Sequence, residues 1–218
     1  MDLSKYGVQP DNKILDIALT HSSYAAENNA ECYERLEFLG DAVLGLVISE
    51  YFYKKTDKSE GEMSKIRADY VCESALFEYA KKAGLVDHIK LGEGLKGSIC
   101  ETVVADVFES VVATIYLNSG YNKAKEFVLD IAEEYIESGH HFMNDYKSYL
   151  QEMVQTDKKS VTYRLLKEVG PSHDKTFTVE VIVEGMVYGE GVGKTKKEAE
   201  QKAAKSAIDK KAGKIWNS

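Results

Sequence analysis

Glu34-Arg35-Leu36-Glu37-Phe38-Leu39-Gly40-Asp41 is the stretch of this 218-residue chain that says most about its fold. Its three carboxylates stand at positions i, i+3 and i+7, which share one face of a helix. An unpaired buried carboxylate is costly, so an otherwise apolar helix seldom carries three acids on its inward stripe. These acids are therefore expected either to face water or to hold cations.

A second acidic pair lies about 65 residues further on, in Asp106-Val107-Phe108-Glu109. Asp106 and Glu109 are one helical turn apart, as are Glu37 and Asp41. If the two helices pack together, four carboxylates converge, and like charges so placed repel unless cations lie between them. Mg²⁺ suits such a site because it prefers hard oxygen ligands and works beside phosphates.

Two ions about 3.5–4 Å apart would activate a water molecule and stabilise the leaving oxygen in phosphodiester cleavage. Two alternatives stay open on spacing alone. The acids could lie on two solvated helix faces, or they could belong to a carboxylate-bridged redox metal protein. The redox site requires Glu-x-x-His pairs on its helices, and neither acidic segment contains one.

Apolar periodicity predicts an almost wholly helical first part, which neither of the two prolines interrupts between residues 11 and 170. The expected helices cover residues 14–19, 31–54, 73–83, 101–118 and 121–138, with another starting after Ser59. Asn118-Ser119-Gly120 is a typical helix end. We find no secretory segment and no apolar run near the roughly 18 residues that a membrane helix needs, so no membrane partner is expected.

The pattern changes after residue 138, where Gly139, His140, His141 and Asn144 indicate a linker. Helical residues 146–155 are followed by three segments that alternate as strands do, at 163–167, 177–183 and 186–191, with Glu184-Gly185 as a hairpin turn. Residues 196–211 form an Ala- and Lys-rich helix. The order α-β-β-β-α in about 70 residues describes a small α+β module.

Charge divides the chain in the same place. Residues 1–144 carry 14 Lys and Arg against 25 Asp and Glu, a balance of −11, whereas residues 145–218 carry 14 against 11, a balance of +3. The basic part is the candidate for contacting a polyanion. The three cysteines are far apart and unpaired in sequence, which fits a reducing cytoplasm and small packing residues rather than disulfides or a zinc site.

Lys194, Lys196 and Lys197 cluster where the last strand passes into the last helix. The amides and dipole at a helix start already favour an anion, so three ammonium groups there suit phosphates. A Lys-rich helix is often merely solvated, but the preceding Gly191-Val192-Gly193 and the α-β-β-β-α order favour the binding interpretation.

Residues 31–53 resemble the signature helix of the ribonuclease III family. Three further segments match in order: Ala18-Leu19-Thr20-His21-Ser22-Ser23-Tyr24, Met63-Ser64-Lys65-Ile66-Arg67-Ala68 and Val104-Ala105-Asp106-Val107-Phe108-Glu109. The resemblance implies an all-α N-terminal nuclease domain, active as a homodimer. It also implies that Glu37, Asp41, Asp106 and Glu109 are Mg²⁺ ligands, with Mn²⁺ substituting, and that Asp41 and Glu109 are catalytic.

The same resemblance assigns two further roles. Glu34 would be an auxiliary active-site acid near the dimer interface, and Phe38 would plug into the partner subunit. A core phenylalanine at position 38 would look identical in sequence. The implied activity is Mg²⁺-dependent cleavage of double-stranded RNA, giving 5′-phosphate and 3′-hydroxyl ends with two-nucleotide 3′ overhangs, in rRNA and mRNA precursor processing in the cytoplasm.

The basic part resembles the double-stranded RNA-binding domain through Lys147-Ser148-Tyr149-Leu150-Gln151-Glu152, Gly170-Pro171-Ser172-His173, Phe177-Thr178-Val179 and the Lys-rich helix start. The implied contacts to double-stranded RNA come from Gln151 and Glu152 in one minor groove, His173 in the next, and Lys194, Lys196 and Lys197 on the phosphates between. Such domains span about 16 base pairs and read shape more than sequence.

The expected domains are therefore residues 1–140, a linker at 141–145, and the small α+β (α-β-β-β-α) C-terminal domain at 146–215. Four residues depart from the signature: Tyr33 replaces an Asn, Cys100 lies where many members have a basic residue, and Ala113-Thr114 replace Gly-Ala. None of these removes a predicted metal ligand. A non-cleaving RNA-binding protein on the same scaffold is the remaining alternative, and the presence of all four acids argues against it.

Overall fold

The computed structural model describes residues 2–95, 97, 99–142, 146–155, 160–171 and 174–212, apart from the side chains of residues 152, 153, 155, 211 and 212. Backbone contacts divide the chain into two compact units, Met1–Phe142 and Met143–Ser218. The first unit is helical, and the second contains a helix, three antiparallel strands and a final helix.

The described helices of the first unit are α1 (Lys13–Ala18), α2 (Ser22–Asn28), α3 (Glu34–Lys55), α4 (Glu60–Tyr70), α5 (Glu73–Lys82), α6 (Glu101–Ser119) and α7 (Tyr121–Glu137). Single 3-10 turns occur at Ser4–Tyr6, Val86–His88 and Glu93–Leu95. The long predicted helices are confirmed. Helix α4 begins with a capping box in which Ser59 and Glu62 satisfy each other's backbone amides, as a Ser-x-x-Glu sequence predicts.

Helix α2 is the element that the sequence prediction missed. The sequence predicted a first helix at residues 14–19 and no other before residue 31, but Ser22 starts a new helix between them. His21 is its N-cap, because its Nδ1 accepts a hydrogen bond from the amide of Ser23 at 3.1 Å. His21 thus has a structural role at the start of this helix.

Helices α3 and α6 form the centre of the first unit. Their apolar stripes are buried against each other, with Leu44 and Val47 on α3 and Val107 and Val111 on α6 excluded from solvent. Aromatic rings extend this core, since Phe108 stacks on Phe127 of α7 with ring centroids 5.5 Å apart. Burial of large apolar side chains supplies most of the driving force for such an arrangement.

The first unit ends at a buried carboxylate. Asp69, at the end of α4, accepts a hydrogen bond from the Phe142 amide at 2.9 Å, and its other oxygen lies 2.8 Å from Nδ1 of His141. The Phe142 ring packs on Tyr135 and Tyr79. Residues 141 and 142 therefore belong to the first unit, two residues beyond the boundary at 140 expected from sequence.

The second unit consists of α8 (Tyr146–Gln155), β1 (Val161–Val169), β2 (Thr176–Val183), β3 (Met186–Gly193) and α9 (Lys196–Ala212), with the strands in the order β1-β2-β3. All neighbouring strands are antiparallel. Glu184 and Gly185 both have positive φ, the combination that a two-residue hairpin turn of type I′ requires. The predicted α-β-β-β-α order and hairpin are confirmed.

Three alternate glycines let α9 lie directly on the sheet. A methyl group on Gly189, Gly191 or Gly193 would stand 2.2–2.6 Å from the backbone of α9. The facing residues on α9 are alanines, and Ala199, Ala203 and Ala207 are buried. The Gly-x-Gly that precedes the lysine cluster thus serves helix–sheet packing.

None of the helices in the described ranges combines the length and the apolar character that a membrane crossing demands.

Candidate functional site

The two acidic pairs are brought together by a close contact between α3 and α6. Gly40 lies between Glu37 and Asp41, and a methyl group on Gly40 would stand 1.9 Å from the carbonyl oxygen of Glu109. Only a residue without a side chain fits there, so the backbones of the two helices meet at this point. Asp106 is one turn from Glu109 on α6. The pair Glu37 and Asp41 on α3 and the pair Asp106 and Glu109 on α6 therefore both lie beside this contact.

The negative charges of neighbouring acids raise the pKa values of Glu109 and Glu37. Burial, and after it the negative charges of Asp41, Glu37 and Asp106 in that order of importance, raise the pKa of Glu109 to about 8. Burial also raises the pKa of Glu37, helped by Asp106, Glu34 and Asp41. Carboxylates in this arrangement hold protons or cations more readily than isolated ones.

Asp106 has an additional partner. Burial raises its pKa, while a hydrogen bond from the Tyr33 hydroxyl to Oδ2, 3.1 Å long, acts in the opposite direction. Glu73 raises this pKa further, and His21 acts to lower it. The pKa of Tyr33 is itself raised, first by burial and then by the Asp106 charge, so its hydroxyl stays a donor.

The chemistry of these donors fits Mg²⁺, because the cluster offers carboxylate oxygens without thiolate or imidazole ligands. Glu34 is exposed one turn before Glu37. In the part of the chain that the structure describes, the side chains do not close into a group of three or more acidic, His or Cys residues able to hold a metal ion.

Phe38 projects from α3 with 82% of its surface exposed. The alternative that it is a core phenylalanine is therefore wrong for a single chain. Leu46 and Tyr53, further along α3, are also exposed large apolar residues. An exposed apolar helix face of this kind is typical of a surface that a partner covers.

In the second unit, the predicted lysines surround the start of α9 and all three are exposed. The Lys196 ammonium lies over the Phe177 ring, 5.8 Å from its centroid, and the Lys194 ammonium forms an ion pair with Asp174. A side chain of the protein already caps the start of α9, because Thr195 Oγ1 accepts a hydrogen bond from the Glu198 amide. Phosphate binding there would depend on the ammonium groups more than on free amides.

The remaining predicted RNA contacts are only partly described. Gln151 lies half-buried on α8. The side chain of Glu152 and the whole of His173 lie outside the described residues. Two functional features were missed from sequence: the hydroxyl of Tyr33 on Asp106, and the pairing of Lys194 with Asp174. The unusual Tyr33 was a visible signal for the first, and no local pattern signals the second.

Comparison with known proteins defines the class. Residues 11–135 match the family described as ribonuclease-III-like, and residues 146–211 match the double-stranded RNA binding motif. The chain belongs to the ribonuclease III family of endoribonucleases, with the bacterial-type order of a nuclease region followed by one RNA-binding motif.

Among its relatives is ribonuclease 3 of Streptococcus pneumoniae (strain CGSP14), which is 44% identical over 209 residues, covering 92% of this chain and 90% of the relative. A structure of the nuclease domain of ribonuclease III from Campylobacter jejuni is 34% identical, with a TM-score of 0.55, and the match covers 61% of this chain and 94% of that one. A second structure of the same nuclease domain, determined at 2.2 Å resolution, is also 34% identical and has a TM-score of 0.54. The predicted family and fold class are thus confirmed.

Proposed function

We propose that this endoribonuclease cleaves double-stranded RNA by Mg²⁺-dependent phosphodiester hydrolysis. The observation that carries the proposal is the contact of Gly40 with the Glu109 carbonyl, which places two acid pairs beside each other. Family membership and the C-terminal RNA-binding motif support the substrate class. Residues 1–142 would form the nuclease domain and 146–211 the RNA-binding domain.

In this proposal Glu37, Asp41, Asp106 and Glu109 hold Mg²⁺, with Mn²⁺ as a substitute. When bound, the ion supplies charge stabilisation at the phosphate and a more acidic attacking water. Asp41 is exposed and Glu109 is half-buried, so the acids extend from the solvent edge to the interior of the cluster. We assign the catalytic roles to Asp41 and Glu109, and an auxiliary role to the exposed Glu34.

A homodimer is the second part of the proposal. The exposed face of α3, with Phe38 at its start, offers apolar surface that a second copy would bury. The related nuclease domain from Campylobacter jejuni shows structural flexibility in a region involved in dimer formation. Two acidic clusters, one per subunit, would each cut one strand, leaving 5′-phosphate and 3′-hydroxyl ends with two-nucleotide 3′ overhangs.

The second unit would dock the duplex. Lys194, Lys196 and Lys197 would contact phosphates, while Gln151, Glu152 and His173 would reach the minor grooves. Because phosphate contacts release counterions, binding should weaken as salt rises. Precursors of rRNA and mRNA in the cytoplasm are the proposed substrates.

The test is incubation of a labelled RNA duplex with the protein in Mg²⁺, in Ca²⁺ and without divalent ions, followed by end-group analysis. Glu109→Ala removes one acid, and Glu101→Ala is the matched control, since Glu101 is an exposed acid on the same helix. We expect Mg²⁺-dependent cutting by wild type and the control and none by Glu109→Ala. Binding without cutting by all three proteins would favour the non-cleaving alternative.

A further inference from the structure

Tyr33 connects the two acid pairs through its backbone and its side chain. Its carbonyl accepts hydrogen bonds from the amides of Leu36 and Glu37, at 2.7 and 2.9 Å, and so starts the helical turn that carries Glu37. Its hydroxyl donates to Oδ2 of Asp106 on the other helix at 3.1 Å. A single residue thereby contacts both halves of the acidic cluster.

The position of Tyr33 is itself tightly defined. Its amide donates to the Thr20 carbonyl at 3.0 Å, and the Ser110 hydroxyl contacts both its carbonyl, at 3.4 Å, and the Asp106 carbonyl, at 2.9 Å. Only 4% of Tyr33 is exposed, and its ring lies 5.8 Å from that of His21. The hydroxyl is therefore presented to Asp106 by a group with little freedom to move.

This hydrogen bond distinguishes Asp106 from two of its neighbours. The influences on Glu37 and Glu109 are burial and like charge, with no hydrogen bond to either carboxylate in the described part of the chain. Asp106 has one oxygen held by the phenol, which leaves Oδ1 available to a ligand. A donor that fixes a ligating carboxylate in this way commonly raises metal affinity.

We propose that Tyr33 is a positioning residue that orients the Asp106 carboxylate for divalent-ion binding through its hydroxyl. The inference rests on the proposed function, because it takes Asp106 as a ligand. It concerns a residue at which this chain departs from the Asn usual in the signature. The phenol reaches across to α6 from the start of α3, whereas the shorter Asn side chain ends several bonds closer to its own backbone.

Tyr33→Phe isolates the hydroxyl, since it keeps the ring and all backbone bonds. The matched control is Tyr70→Phe, because Tyr70 is also 4% exposed and its hydroxyl donates to a backbone carbonyl, that of Tyr135, at 3.5 Å. A purely structural role would make the two variants alike: both would lower the unfolding midpoint, and neither would change ion binding.

The experiment measures Mn²⁺ affinity of the full-length protein without RNA, from the electron paramagnetic resonance signal of free Mn²⁺. Wild type, Tyr33→Phe, Tyr70→Phe and Asp106→Ala are compared. We expect Mn²⁺ affinity to fall about tenfold or more in Tyr33→Phe and to stay unchanged in Tyr70→Phe. Cleavage by Tyr33→Phe should require more Mg²⁺ but recover its kcat at saturation, with KM for the duplex unchanged.

The outcomes separate two kinds of failure. If Asp106→Ala binds Mn²⁺ weakly while Tyr33→Phe binds like wild type, the positioning role is overturned and the metal site stands. If Asp106→Ala binds like wild type, Asp106 is not a ligand, and both the proposed metal site and the role of Tyr33 are overturned.

Discussion

The backbone of Gly40 on α3 lies against the carbonyl oxygen of Glu109 on α6, so the two helices approach closely between the two acid pairs. A methyl group at position 40 would be 1.9 Å from that oxygen, so Gly40→Ala must push the helices apart. We expect a loss of about 1–3 kcal/mol in the free energy of unfolding, together with a severe loss of cleavage. Urea unfolding and a cleavage assay measure the two effects.

Gly45→Ala is the control for that substitution. Gly45 is on the same helix, and beyond the adjoining residues and backbone of that helix no atom lies within 4 Å of where its methyl group would be. Replacing an unobstructed helical glycine with alanine raises the free energy of unfolding by roughly 0.5–1 kcal/mol. Equal stability and activity of the two variants would contradict the close approach of α3 and α6.

The raised pKa of Glu109 makes a prediction for the metal-free protein. Folding raises this pKa from 4.5 to about 8, so the folded state binds the proton more tightly than the unfolded chain does. The contribution of Glu109 protonation to the free energy of unfolding is complete below pH 4.5 and is lost as the pH rises toward 8. In EDTA, the free energy of unfolding should fall from pH 5 to pH 8.5.

Glu109→Gln should flatten that decline, because the amide carries no proton to lose. Glu101→Gln, an exposed acid at the start of the same helix, should leave it as in wild type. Denaturant titrations at several pH values provide the comparison. A wild-type slope retained in Glu109→Gln would mean that other groups cause the pH dependence.

Asp174 is predicted to restrain RNA binding. Its carboxylate pairs with the Lys194 ammonium, and both side chains are more than half exposed. Exposed pairs add little stability, so Asp174→Asn should fold normally and free Lys194 for phosphate. We expect affinity for a duplex to rise about two- to fivefold and the salt dependence to steepen by the equivalent of about one phosphate contact.

Asp209→Asn removes the same charge from an exposed position on α9 and serves as the control. Fluorescence anisotropy across a salt series measures both affinity and slope. An equal gain in the two variants would indicate a general charge effect, and the specific role of the Lys194–Asp174 pair would be rejected.

Asp69 is predicted to anchor the end of the first unit. Its two oxygens contact the Phe142 amide and His141, and only 7% of the residue is exposed. Asp69→Ala leaves the buried Phe142 amide unsatisfied, which should cost about 1–3 kcal/mol. Asp69→Asn keeps an acceptor for that amide and should cost less. Limited proteolysis should then cut Asp69→Ala fastest near residues 139–142, and equal rates in all three proteins would refute the anchor.

The periodicity of the sequence predicted most of this fold because the helices are long and their apolar stripes are regular, as in α3 and α6. Helix α2 escaped prediction because its N-cap is a histidine, which is not a usual capping residue. The acid pairs could be found from spacing, but the contact that joins them depends on Gly40, whose role emerges only when two distant helices meet. For the Tyr33–Asp106 contact the sequence showed only an unusual residue at position 33, since a hydrogen bond across 73 residues leaves no local pattern that identifies its acceptor.

The central claim is that Glu37, Asp41, Asp106 and Glu109 together hold divalent ions. Anomalous diffraction from crystals of the full-length protein soaked in Mn²⁺ tests it most directly. The account predicts a manganese peak between α3 and α6, roughly 2.0–2.3 Å from carboxylate oxygens of both acid pairs. A peak bound by only one helix, or no peak beside Gly40 at saturating Mn²⁺, would contradict it.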